Sequence, residues 1–97
     1  MTLTVIPWGD EFIFDWDEDN EAEICEHSVT CFEVEECFEN SYRAVPHRKA
    51  KSKPKKYGDR YQIIGQTNGG RELFIIIQYK GGNVIRPITA FDSPNKK

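Results

Sequence analysis

The stretch RYQIIGQTNGGRELFIIIQYKGGNVIRPITAF, residues 60–91, decides the fold. Two apolar runs, RYQIIGQT and ELFIIIQYK, flank the Gly-rich turn NGGR, and the turn GGN leads into a third run, VIRPITAF. β-branched and aromatic residues between such turns are typical of consecutive antiparallel strands. The middle run is apolar on both alternating faces: Leu73, Ile75, Ile77 and Tyr79 on one, Phe74 and Ile76 on the other. We therefore predict three strands with the middle one at the centre of a sheet.

The segments before this stretch predict one strand, two helices and a further strand. EFIFDW alternates, with Phe12, Phe14 and Trp16 on one face. DWDEDNEAEICEHS indicates a helix that begins at an Asp17 cap, and TCFEVEECF indicates a second with the capping-box pair Thr30 and Glu33. YRAVPH is predicted to be a short strand, and Pro46 indicates an edge position or an early end, because proline cannot donate to a ladder.

The predicted order is thus β-α-α-β-β-β-β, an α+β fold with two acidic helices packed on one face of a mainly antiparallel sheet. The i, i+4, i+7 stripe of Asn20, Ile24 and His27 places His27 near the end of the first helix on its inward side. A length of 97 residues fits a single domain, 1–97, with its core in 12–91. No run approaches a membrane span, and the N-terminus lacks a signal-peptide pattern, so we expect a cytoplasmic protein.

Three cysteines, Cys25, Cys31 and Cys37, are spaced six apart. This spacing matches neither a zinc half-site nor a disulfide framework. We therefore expect three thiols in or near the core, with no metal.

The charge is strongly divided along the chain. Residues 1–40 carry thirteen Asp and Glu and no Lys or Arg, whereas residues 41–97 carry thirteen Lys and Arg against three acids. Eight of those cations lie in residues 43–60. Residues 48–58 lack apolar periodicity, so we predict an exposed basic loop there, with Arg48, Lys49, Lys51, Lys53, Lys55 and Lys56 as candidate contacts to RNA phosphates. The alternative is that it contacts the chain's own acids or an acidic partner.

An ordered set of motifs resembles the BrnT-type family of toxins from bacterial type II toxin–antitoxin pairs. The resemblance covers residues 12–91 and is carried by Trp16, Asp17, Asn20, His27, Val29, Arg60, Tyr61, Gly65, Gly70, Arg71, Ile85, Arg86, Ile88, Thr89 and Ala90. It implies a RelE-like fold and a metal-independent endoribonuclease that needs no cofactor and halts translation. It also implies a small ribbon-helix-helix antitoxin, BrnA-like, as the partner, through which alone operator DNA would be contacted.

The chain departs from the family pattern at three positions and at its end. Glu26 replaces a Lys, Ser28 replaces a Gly, and Phe91 replaces an Arg. The sequence ends at Lys97, where family members continue into a basic helix. Two cations are lost, which leaves open a second hypothesis, a catalytically inactive member that binds an antitoxin. A third is a general RNA-binding module that uses the basic loop.

Cleavage of RNA without a metal needs a proton acceptor, a proton donor and cations for the phosphoryl oxygens. The candidate catalytic residues are His27, Arg60, Arg71, Arg86, Tyr61 and Thr89. His27 would serve as base or acid, the arginines suit phosphate, and Tyr61 or Thr89 would orient the substrate.

Each candidate also has a structural explanation. His27 would cap a helix, and Arg71 would be a solvated turn residue. Arg86 and Thr89 are three apart and fall on opposite faces unless Pro87 introduces a bulge. Arg60, Gln62 and Gln66 share one strand face and form the best sequence evidence for a binding surface. His47 is predicted to be a loop residue.

Overall fold

The computed structural model describes residues 6–9 and 11–94. Its elements run β1 (Ile13–Phe14), α1 (Glu18–Glu26), α2 (Cys31–Glu39), β2 (Tyr42–Pro46), α3 (Pro54–Tyr57), β3 (Arg60–Gln66), β4 (Glu72–Gly81) and β5 (Val84–Asp92). The predicted α+β order is confirmed, with the short helix α3 added inside the basic segment. The N-terminal residues 1–5, on which the expectation of no signal peptide partly depends, lie outside the described residues.

The five strands form one sheet in the order β1-β5-β4-β3-β2. β2, β3, β4 and β5 pair antiparallel, and β1 pairs parallel with β5 at only two positions. The strand β4 is therefore central, as the two apolar faces of ELFIIIQYK predicted. Pro46 ends the edge strand β2, also as predicted.

One face of the sheet packs against the helices. Leu73, Ile75 and Ile77 of β4 are fully buried there, whereas Phe74 and Ile76 on the other face are only half-buried. Burial alternates in the same way along β3, where Ile63 and Gly65 are buried. We call the less buried side, which carries Phe74 and Ile76, the open face of the sheet.

Both helices begin with capping boxes, of which the sequence predicted the one at α2 and, at α1, only the Asp17 N-cap. The Asp17 side chain accepts from the backbone N–H of Asn20, and the Asn20 side chain accepts from the N–H of Asp17. Thr30 and Glu33 exchange the same two hydrogen bonds at α2. These boxes satisfy backbone donors that a helix start leaves unpaired, which is why the acidic segments begin helices at these positions.

Aromatic side chains close the helix-covered side of the core. Phe12 and Phe14 pack edge-on against Phe38 of α2, with ring centroids 5.5 and 5.3 Å away. Trp8 is buried and lies edge-on to Tyr61, 5.1 Å between centroids. The alternating segment 12–16 thus packs aromatic side chains against the core, although only two of its residues, Ile13 and Phe14, form a strand.

The three cysteines differ in burial, so the expectation of three core thiols is wrong for one of them. Cys37 is buried, Cys31 is intermediate and Cys25 is exposed. Burial raises the pKa of the Cys37 thiol to about 12. Cys25 is exposed because α1 covers the sheet with Asn20 and Ile24. No helix among the described residues is long and apolar enough to cross a membrane.

Candidate functional site

A shallow groove lies between α1 and β5, held at its base by the buried Asn20. The Asn20 side-chain amide donates to the backbone oxygens of Asp15 and of Pro87, both at 2.9 Å. Asn20 is only 3% exposed. This side chain therefore fixes the start of α1 beside β5 and sets the width of the groove.

A β-bulge turns Arg86 and Thr89 toward the same groove. Thr89 pairs with Ile76 and Pro87 pairs with Ile77, so Ile88 is the extra residue of β5. The bulge at Pro87 was the condition under which these two side chains would share a face, and the structure meets it. The open groove has a volume of about 360 Å³ and is lined by Asp19, Asn20, Glu23, Arg86, Ile88 and Thr89.

His27 does not line this groove itself, but it bonds to Glu23, which does. His27 Nε2 lies 3.0 Å from Glu23 Oε2, and the Thr89 hydroxyl donates to the same oxygen at 3.1 Å. The His27 side chain is 41% exposed, so the predicted inward position is wrong. The helix ends at Glu26, and His27 leaves the helical conformation as the C-cap, which breaks the i+7 relation to Asn20.

The Glu23 carboxylate determines how the imidazole is held. The hydrogen bond from His27, followed by that from Thr89, lowers the pKa of Glu23 below its ordinary value of 4.5. An ionised carboxylate accepts only, so Nε2 of a neutral His27 carries the proton and Nδ1 keeps its lone pair. Glu23 was missed as a functional residue. Its i, i+4 spacing from His27 was the available signal.

Arg86 lies in the groove and is bound by the chain's own carboxylates. Its Nη1 donates to Asp17 Oδ2 and lies 3.8 Å from Asp15 Oδ2. The hydrogen bond to Asp17 raises the pKa of Arg86 and lowers that of Asp17. The Arg86 side chain is 20% exposed. This arginine therefore joins the cap of α1 to β5 while facing the groove.

Arg71 lies outside the groove and is not a solvated turn residue. Its Nε donates to Asp92 at 2.6 Å, and its Nη1 donates to the Ser28 carbonyl at 2.9 Å and to Glu33 at 3.1 Å. Ser28 has φ 61°, in the left-handed region that favours glycine. Arg71 thus braces the turn between the helices at the position where the family pattern has a Gly.

Tyr61 and Arg60 lie on opposite faces of β3, so they do not share one site. Tyr61 packs on Trp8 on the helix-covered face. Arg60 is on the open face with Gln62 and Gln66, as predicted, and its Cζ lies 5.8 Å from the Tyr57 ring centroid. The candidate set is therefore divided among separate places, with only His27, Arg86 and Thr89 at the groove.

The predicted basic loop is largely exposed and includes one helical turn, α3. All six of its predicted RNA contacts are exposed: Arg48, Lys49, Lys51, Lys53, Lys55 and Lys56. None forms a salt bridge with a carboxylate of the described residues. His47 lies in the loop as predicted, with its ring stacked on Tyr57. No three His, Cys, Asp or Glu side chains in residues 6–9 and 11–94 are grouped to hold a metal ion.

The fold and the groove define a small α+β domain with a histidine held by a carboxylate of a groove that also contains an arginine. The family model described as ribonuclease toxin, BrnT, of type II toxin–antitoxin system matches residues 16–96. The chain therefore belongs to this family, which confirms the resemblance drawn from the motifs. None of the curated proteins matches the chain. Membership implies a toxin of the ribonuclease class and an antitoxin partner.

Proposed function

We propose that the chain is a metal-independent endoribonuclease that cuts RNA at the groove between α1 and β5, with His27 as the proton-transferring residue. The observation that carries this proposal is the Glu23 bridge, which holds both His27 and Thr89 through one carboxylate oxygen. A carboxylate on one imidazole nitrogen orients the other as a base. The Nδ1 lone pair of His27 then accepts the proton of the attacking 2′-hydroxyl.

The remaining steps follow from the groups around the groove. The 2′-oxygen attacks phosphorus, the bond to the 5′-oxygen breaks, and the imidazolium returns its proton to that leaving oxygen. The products are a 2′,3′-cyclic phosphate and a 5′-hydroxyl. Charge on the phosphoryl oxygens is met by Arg86, because the carboxylates engage only Nη1 and a guanidinium has five N–H donors.

The departures from the family pattern affect this chemistry in one place. The Phe91 ring lies 6.2 Å from His27, where the family pattern has an arginine. Arg86 and the cations of the open face therefore have to stabilise the negative charge on the phosphoryl oxygens. Arg71 supports the end of α1 from outside the groove by bracing Ser28, whereas Tyr61 packs on Trp8 on the helix-covered face of the sheet.

RNA cleavage in EDTA tests the proposal. Purified protein should cut RNA with a chelator present, and His27→Ala should reduce the rate at least about a hundredfold, the lower end of the contribution of general acid–base catalysis. Glu26→Ala is the matched control, because Glu26 is the exposed neighbour of His27 and does not line the groove. Intact RNA after long incubation with folded wild-type protein would contradict the proposal.

The partner proposed is a ribbon-helix-helix antitoxin of the BrnA type, which neutralises the toxin in the cytoplasm and carries it to operator DNA. Family membership supports this, because a type II toxin is paired with a protein antitoxin. Expression of the chain alone should stop growth, and co-expression of the protein encoded beside it should restore growth and co-purify. If wild type and His27→Ala are equally harmless yet both co-purify, the chain is a binding-only member of the family.

A further inference from the structure

The basic loop contains an ordered centre that the groove chemistry does not use. The rings of His47 and Tyr57 stack with centroids 4.5 Å apart and planes 20° apart. The backbone N–H of His47 donates to the backbone carbonyl of Arg60 at 3.0 Å, which fixes the start of the loop against β3. Tyr57 ends α3, so a helical turn fixes the other side.

Three cations gather around this stack. Lys49 Nζ lies 5.5 Å, Lys56 Nζ 5.4 Å and Arg60 Cζ 5.8 Å from the Tyr57 ring centroid. These distances are within the range of cation–π attraction, which offsets part of the repulsion among the three charges. We call His47, Lys49, Lys56, Tyr57 and Arg60 the Tyr57 cluster.

The cations of the Tyr57 cluster are not neutralised by the chain. Arg71 and Arg86 form salt bridges to carboxylates, whereas Lys49, Lys56 and Arg60 form none within the described residues. The Arg60 Nε is buried and has no hydrogen-bond acceptor there. Positive charges held together without acids favour an anion as the occupant.

His47 adds a neutral donor. Its Nδ1 accepts from the Lys49 N–H at 3.1 Å, so Nε2 carries the ring proton. Burial, then Lys49, Arg48 and Arg60, lower the pKa of His47, which keeps the ring uncharged at neutral pH. The cluster thus combines aromatic faces, a neutral N–H and cations, the combination that binds single-stranded nucleic acid.

We propose that the Tyr57 cluster is a built binding site for the backbone of single-stranded RNA, separate from the groove that cuts it. The site aligns with the groove through the sheet, because Arg60 pairs with Gln78 and Gln78 pairs with Arg86. Two strand spacings put the Cα of Arg60 about 10 Å from the Cα of Arg86 across the sheet. As a substrate anchor this site rests on the proposed function, and it makes the substrate a single strand long enough to span both places.

Binding is measured on a His27→Ala background, by fluorescence anisotropy of a labelled 12-nucleotide single-stranded RNA at several salt concentrations. The double variant Lys49→Ser, Lys56→Ser should weaken RNA binding about tenfold near 0.15 M salt. It should also reduce the slope of log K against log salt concentration by about 1.4, because each phosphate contact to a single strand contributes about 0.7. The matched pair is Lys51→Ser with Lys53→Ser. It removes the same charge from the same loop but outside the Tyr57 cluster, and it should cost less than about threefold.

Equal losses of RNA affinity in the two double variants would overturn the proposal, because the overall positive charge of the loop would then explain binding. Unchanged RNA affinity combined with lost antitoxin binding in the cluster pair would also overturn it and assign the cluster to the protein partner. In cleavage assays with active protein, the cluster pair should raise KM and change kcat less than about twofold. If the wild type binds RNA through the cluster but cuts none, the proposed function fails while this site stands.

Discussion

At the scale of single residues, two of the three candidate arginines serve the fold directly. Arg86 bonds to Asp17, the cap of α1, and Arg71 bonds to Glu33, the third residue of α2. Each helix capping box is therefore tied to the sheet by one arginine. An arginine in a family motif does not by itself distinguish a phosphate ligand from such a tie, and only the carboxylate partners made the assignment possible.

Arg71→Ala should destabilise the protein by about 1–2 kcal/mol, because three acceptors on three segments lose a charged donor at a site only 24% exposed. Urea unfolding followed by circular dichroism measures the loss. Arg43→Ala is the charge-matched control, since Arg43 is exposed and its side chain has no hydrogen bond in the described residues. Equal stabilities of the two variants would show that Arg71 contributes no more than an exposed charge.

The carboxylates beside these cations make stability dependent on pH. The folded pKa values of Glu23 and Asp17 are lowered from 4.5 and 3.8, so their contributions are complete above the ordinary pKa and are lost as pH falls through the folded pKa. As pH falls below 4.5, the ordinary pKa of Glu23, wild type should therefore lose stability more steeply than Glu23→Gln, in urea unfolding at each pH. Glu26→Gln, an exposed neighbour, should follow the wild-type curve, and a Glu23→Gln curve parallel to it would contradict the role of the bridge.

At the scale of elements, the sequence predicted what local patterns determine. The Asp17 cap, the capping box of α2, the central β4 and the edge strand ended by Pro46 are set by neighbours in sequence, and all are present. It did not predict α3 or the outward position of His27. Where α1 ends and how the loop folds back on Arg60 depend on contacts between distant segments. The division of the candidate site has the same cause. Tyr61 and Arg60 point to opposite faces of β3, and Arg71 is bound by Glu33 and Asp92 outside the groove.

The packing of α2 on β3 depends on Gly65. A Cβ at this position would lie 2.9 Å from Cys37 Cβ and 3.2 Å from the Cys37 carbonyl oxygen, so the helix and strand are too close for a side chain. Gly65→Ala should cost about 1–3 kcal/mol by overpacking, measured as a shift in the urea midpoint. Gly69→Ala is the control, because its Cβ would meet only Thr67 Oγ1 at 3.9 Å. A Gly65→Ala variant as stable as Gly69→Ala would mean that α2 moves away from the sheet without cost.

At the scale of the whole molecule, the structure separates two sets of cations. Arg71 and Arg86 connect the basic half to acids of residues 1–40, while the cations of the Tyr57 cluster have no such partners among residues 6–9 and 11–94. Solvent salt screens both sets, but with different consequences. The first set contributes to folding through partly exposed pairs, each of modest strength. The second set is free to contribute to RNA binding, where the counterions released multiply the effect of salt.

Raising salt from 0.05 to 0.5 M should therefore weaken RNA binding by His27→Ala about a hundredfold while changing the free energy of unfolding by less than about 1 kcal/mol. The first figure follows from three phosphate contacts at about 0.7 each over a tenfold change in salt, and the second from the small number of partly exposed ion pairs. Anisotropy and urea unfolding on the same preparation measure both. A steep loss of stability with little loss of affinity would instead indicate that the basic loop is neutralised by the acidic half, the competing explanation for why this chain concentrates its positive charge.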